Sequence, residues 1–138
     1  TQAKKESINT FKATEKRLYS LLDLEHRITN PAGYITLHSS DILPYRTGRV
    51  DASQALDELE AAAAAAMERD RIEAARIRAA LEGLKSDPFF DVIQLHYFAT
   101  LDDQTIADQI NSSRSTVYRA RVRLVKRLAV RLFGSEAL

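Results

Sequence analysis

The run from Asp51 to Glu82 contains neither glycine nor proline and holds six consecutive alanines, Ala61 to Ala66. Alanine has the best intrinsic helix propensity, so this stretch is bound to be a long helix before any tertiary contact is considered. With Asp51 or Ser53 as its N-cap and Leu84 at its end it covers about 34 residues, a rod about 50 Å long. At 100° per residue, Leu56, Leu59, Ala63, Met67, Ala74, Ile77, Leu81 and Leu84 fall on one stripe, interrupted by Asp70. A chain of 138 residues cannot enclose such a rod. It is therefore expected to pair with another helix, and a homodimer through this region would cover more of it; a simple spacer hairpin is the alternative.

A partner helix is available upstream. From about Lys4 to Ile28 the residues Ile8, Phe11, Leu18, Tyr19 and Leu22 recur on one face, and Asn30-Pro31 supplies the stop. Residues 31–50 show no helical period and contain two prolines and two glycines, yet they are apolar at Tyr34, Ile35, Leu37, Ile42, Leu43 and Tyr45. The expectation is an irregular loop packed over the helices, with a partner-binding loop as the alternative. Residues 1–86 thus read as a helical hairpin, coiled-coil-like in character, with an irregular insertion.

Gly83, Ser86 and Asp87 mark a boundary to a second domain, 87–138. Asp87 followed by Pro88 is a helix start, because the carboxylate accepts orphan amides and proline donates none. A first helix is predicted over about 88–98, with Phe89, Val92, Ile93 and either Leu95 or His96 inward. Asp102 caps a short second helix with Ile106, Ala107 and Ile110 inward, and Asn111-Ser112 makes the turn. Ser113 caps a third helix of about twenty residues, with Val117, Ala120, Leu124, Leu128 and Leu132 inward and Gly134 as its stop. Two short helices joined by a tight turn, with a small Ala107 where they approach, form a helix-turn-helix. The fold class is all-α.

Charge sharpens the third helix. The whole chain carries a formal net charge of +1, which by itself argues against a polyanion partner. Yet from Ser113 onward there are seven basic residues and one acidic, so the balance there is +6 against −5 in the rest. Arg114, Ser115, Thr116, Tyr118 and Arg119 occupy the first turns, outside the apolar stripe, and all can hydrogen-bond. Arg114 and Arg119 have the fork geometry that reads guanine. Arg121, Arg123, Lys126 and Arg127 lie farther along, where a helix leaving the major groove meets backbone phosphates. A solvated basic face is the plainer alternative.

The segments Leu95-His96-Tyr97-Phe98, Thr105-Ile106-Ala107 and Ser113-Arg114-Ser115-Thr116-Val117-Tyr118-Arg119-Ala120 resemble the region 4 helix-turn-helix of bacterial sigma factors. The order of a first helix, an irregular stretch, a long helix and a domain opening on Asp87-Pro88 is similar to phage-encoded region-4-like transcriptional regulators of the ArpU and RinA kind. The resemblance implies a third helix that reads promoter DNA, contact with RNA polymerase, and a phosphate contact at Thr105. Three positions depart from the sigma pattern: Asn111 for glycine, Ser112 for an apolar residue, and Ser115 for an acidic base reader. The last implies a different target sequence. Nothing resembles the region that melts promoter DNA, so a complete sigma factor is not expected.

The expected DNA-binding set is Thr105, Ser113, Arg114, Ser115, Thr116, Tyr118, Arg119, Arg121, Arg123, Lys126 and Arg127, with double-stranded DNA as partner. The reading is a sequence-specific transcription regulator of phage or prophage type. A small-terminase-like packaging adaptor and a helical protein–protein adaptor are the alternatives. Catalysis and cofactors are not expected. Ser112, Ser113 and Ser115 have no neighbouring base in sequence, no glycine-rich phosphate loop exists, and His26, His38 and His96 do not fall at metal-ligand spacing. His96 is expected to be a satisfied core residue. The absence of cysteine suits a reducing cytoplasm, and no apolar window is long enough to span a membrane.

Overall fold

The computed structural model describes residues 2–38 and 52–134, and these are all-α with no strand among them. The helices are α1 (Gln2–Ile28), α2 (Ala32–His38), α3 (Ala52–Glu82), α4 (Phe90–Ile93, continued by a wider π turn over Gln94–Phe98), α5 (Asp103–Gln109) and α6 (Arg114–Phe133). Among the described residues no helix is long and apolar enough to cross a membrane. Contacts divide the chain into two compact units, residues 23–75 and residues 1–22 together with 76–138. The division cuts through α1 and α3 and groups their far ends with the C-terminal helices.

In the unit of residues 23–75, the start of the stretch expected to be irregular is the helix α2. The carbonyls of Asn30 and Pro31 accept the amides of Gly33 and Tyr34 at 3.0 and 3.1 Å, so proline opens a helix here as well as ending the one before. Ile42, Leu43 and Tyr45, expected to pack over the helices, lie outside the described residues, as does Asp51, and Ser53 falls inside α3. Tyr34 is buried against Ala63, Ala66 and Met67 of α3. Its hydroxyl donates to Asp70 Oδ2 at 2.8 Å, and the Arg27 guanidinium lies 4.6 Å above its ring with Nε 3.4 Å from the same carboxylate. Asp70, the polar interruption in the α3 stripe, thus has two partners from other helices. Burial, followed by this carboxylate, raises the Tyr34 hydroxyl above its ordinary range.

The buried face of α1 is rotated from the expected one, whereas on α3 the expected stripe is buried at Leu59, Ala63, Ala74, Ile77 and Leu81, with Leu84 buried just past its end. On α1, Thr14, Leu18 and Leu21 are buried, whereas Tyr19 and Leu22 are about half exposed. Thr14 can be buried because its hydroxyl donates to the Thr10 carbonyl at 2.7 Å. On α3, Ala55, Leu59, Ala63, Ala66, Ala74, Ile77, Ala80 and Leu81 are buried while Leu56 is exposed. An alanine-rich helix offers several arcs of similar hydrophobicity, and its neighbours choose between them.

In the second unit, α4 and α5 both pack on α6. Asp87 opens the segment, though regular helix begins only at Phe90: its Oδ1 accepts the Phe89 amide at 2.9 Å and its carbonyl the Phe90 amide at 3.0 Å. The chain widens after Ile93, so that the Ala99 amide reaches the Gln94 carbonyl at 3.0 Å, and Thr100 adopts a left-handed φ of 57° as Leu101 bonds back to Leu95. Tyr97 is the buried residue of that turn, with Leu95 and His96 only partly covered. Val92, Ile106, Ala107 and Val117 form one core cluster, with Phe89, Leu95, Leu101 and Ile110 packed against it.

Local capping agrees closely with the sequence. Asp102 accepts the Thr105 amide at 2.8 Å, Ser113 accepts the Thr116 amide at 3.1 Å, and Asn111 takes the left-handed φ of 55° that lets the Ser112 amide close on Ala107 at 2.9 Å. Gly134, with φ 74°, ends α6. Val117, Ala120, Leu124, Leu128 and Leu132 are buried as the periodicity predicts, joined by Val125 and Ala129. Arg76 of α3 donates to the Leu132 carbonyl at the end of α6, and Arg131 of α6 donates to the Gly83 carbonyl after α3 at 3.4 Å. Each cation sits at the negative end of the other helix. Arg17 over Phe133 at 4.6 Å and Arg78 over Phe98 at 5.5 Å add contacts from α1 and α3.

Candidate nucleic-acid interface

Because one face of α6 is buried, its remaining positions form a continuous exposed strip. Arg114, Ser115, Tyr118, Arg119, Arg123, Lys126 and Arg127 are exposed, with Thr116 and Val122 partly so. Tyr118, Arg119, Val122, Arg123, Lys126 and Arg127 line an open depression along the middle of α6. The N-terminal end carries free amides and the positive end of the helix dipole, which favour an anion.

Individual side chains are committed to different degrees. The Ser113 hydroxyl caps the helix and lies 2.7 Å from Thr116 Oγ1 and 3.2 Å from Ser115 Oγ, so these three hydroxyls form a local network at the tip. Arg119 spends Nε on the Ser115 carbonyl at 3.3 Å, an anchor that leaves its terminal nitrogens for another acceptor. Thr105 is exposed on α5, and through its amide and side chain it holds the Asp102 carboxyl below the usual range. Tyr118 is 53% exposed, an aromatic ring among the exposed polar and basic side chains of the strip.

Arg121 does not belong to this strip. Its side chain is 11% exposed, with Nε 3.1 Å from Asp103 Oδ1, Nη2 3.0 Å from Oδ2, and Nη1 3.4 Å from the Tyr97 hydroxyl and 3.5 Å from Glu15 Oε2. Tyr97 in turn donates to Glu15 at 2.7 Å. Burial works against the Arg121 charge, but the Asp103 and Tyr97 partners outweigh it and raise its affinity for the proton. The expected phosphate contact is instead the hub that ties α1, the π turn, α5 and α6 together. Its position is legible on the helical wheel: it lies about 40° from Val117, between the inward-facing Leu128 and Leu132.

His96 borders the same hub. Its Nε2 is 3.1 Å from the Tyr19 hydroxyl, while Nδ1 is 3.6 Å from Asp103, beyond hydrogen-bond length. Burial and then the Arg121 charge depress its proton affinity, against the opposite pull of Asp103 and Glu15. The histidine is therefore only half satisfied. Glu15 and Asp103 stand in no motif, Tyr97 stands in the Leu95–Phe98 segment with no partner marked, and only the tertiary fold brings the three together.

Arg123 and Arg127 are exposed but not unattended. Asp87 lies 2.6 and 3.1 Å from the two terminal nitrogens of Arg123 and 3.4 Å from Nη1 of Arg127. The Arg123 hydrogen bonds, with help from the Phe89 amide, hold the Asp87 carboxyl below the usual carboxylate range. No protein family, characterised protein or solved structure matches the chain.

Proposed function

We propose that the chain is a sequence-specific, double-stranded-DNA-binding transcription regulator of the sigma region-4-like, phage or prophage type, with α6 in the major groove. The observation that carries this reading is the division of α6 along its length. Its first turns expose Arg114, Ser115, Tyr118 and Arg119, suited to base edges, and its later turns expose Arg123, Lys126 and Arg127, suited to phosphates. The capped turn between α5 and α6 and the close approach at Ala107 support a helix-turn-helix use of the pair. Contact with RNA polymerase follows from the resemblance to region 4.

Selection from random duplexes, then binding of the selected and a scrambled duplex, tests the proposal. Arg119→Ala is expected to weaken the selected duplex by about 1–3 kcal/mol with little effect on the scrambled one. Lys126→Ala is expected to weaken both alike and to lower the salt slope by about one. Equal losses on both duplexes for Arg119→Ala would remove its base-reading role.

A further inference from the structure

Arg123 and Arg127 stand one helical turn apart on α6, and both reach back to one carboxylate 36 and 40 positions upstream. That carboxylate is itself fixed. The Asp87 side chain is 8% exposed, and its Oδ1 also accepts the Phe89 amide at 2.9 Å, so it cannot follow the arginines outward. The two arginines are each 47% exposed. One edge of each guanidinium is held from inside while the other faces solvent. A guanidinium has five N–H donors in a rigid fork; Arg123 commits two nitrogens to Asp87 and Arg127 one, which leaves donors on both for an outer acceptor.

We propose that Asp87 is a positioning residue for DNA binding: by ordering Arg123 and Arg127 before contact, it presents them as a preformed clamp for one backbone phosphate. The inference rests on the DNA-binding reading above. The carboxylate has two opposed effects. It subtracts one charge from the face, which weakens attraction to any duplex. It also removes in advance the side-chain freedom that two long arginines otherwise lose on binding, which matters most in the complex whose register is fixed. Asp87 therefore raises selectivity rather than general affinity.

The test is Asp87→Asn in the full chain, because the amide oxygen can still accept from Phe89 while the charge that holds the arginines is gone. The probes are a duplex selected from random sequence by the wild type and a scrambled duplex of the same composition. The expected result is a fall of about tenfold in the preference for the selected duplex, with scrambled binding unchanged or stronger. The same substitution is expected to do nothing to that preference when Arg123→Ala and Arg127→Ala are already present. An unchanged preference, or an equal loss on both duplexes, overturns the positioning role. Wild-type chain that binds neither duplex overturns the DNA reading itself. Side-chain nitrogen relaxation of the unbound wild type gives a second check that needs no variant. Arg123 must be more ordered than Arg114, and comparable mobility of the two also overturns the proposal.

Discussion

Arg121→Met separates the two roles open to that residue. Methionine keeps an unbranched apolar stem of similar reach but removes the guanidinium, which leaves Asp103 at 14% and Glu15 at 24% exposure facing each other without their shared cation. Removing one partner of a fully buried ion pair costs about 3–5 kcal/mol, and the residual exposure here puts the expectation at the lower end, about 3 kcal/mol. Total stabilities are only about 5–15 kcal/mol, so the loss is a large fraction and should lower the melting temperature by roughly 10 °C. Thermal and urea unfolding followed by helix circular dichroism measure it. The bidentate geometry makes a further demand: with Asp103→Asn added, the double variant should lose less than the sum of the singles by about 1–3 kcal/mol. Below the transition the salt slope of DNA binding should be unchanged in Arg121→Met. A melting temperature within a few degrees of wild type, together with a salt slope reduced by about one, would refute the argument and return Arg121 to the phosphate-contacting set.

Two further expectations concern the same unit. Ser113→Ala removes the acceptor for the Thr116 amide and should cost about 1 kcal/mol of stability in denaturant unfolding; Ser113→Asp, which keeps an acceptor, should restore most of it. His96 has a depressed proton affinity in the folded chain, so it contributes stability above its ordinary range near pH 6.5 that is lost as pH falls through the lower folded value. Melting temperatures should therefore decline below about pH 6.5, and His96→Gln should flatten that decline; an unaltered slope would assign it to other groups.

Structure set by bonds that span a few residues is legible in this sequence. Asp102, Ser113, Asn111 and Gly134 act on amides or dihedral angles within five positions of themselves, so residue type and spacing contain the answer. The inward face of α6 is legible for a similar reason, because large aliphatic residues alternate there with charges and leave one arc to bury. On α1 and α3 the contrast is weaker. On α1 Thr14 is buried and Tyr19 left exposed, so packing chose the arc; on α3 the expected stripe holds, widened by Ala55, Ala66 and Ala80 and without Leu56. Within residues 31–50, two prolines and two glycines conceal α2, since Pro31 is both the stop of one helix and the first turn of the next.

By itself, then, the sequence determined the all-α class, the capped turn between α5 and α6, and the concentration of positive charge from Ser113 onward. Tertiary structure alone decided which partners those charges meet. Arg121 meets Asp103 across 18 positions, Arg123 meets Asp87 across 36, and Tyr97 meets Glu15 across 82. An ion pair is a property of two groups brought within a few ångströms, and Coulomb attraction in partly buried surroundings is strong enough to turn a cationic side chain inward. Counting charges along a chain measures how much positive charge a face could carry; the partners that folding supplies determine how much of it is left to meet a phosphate.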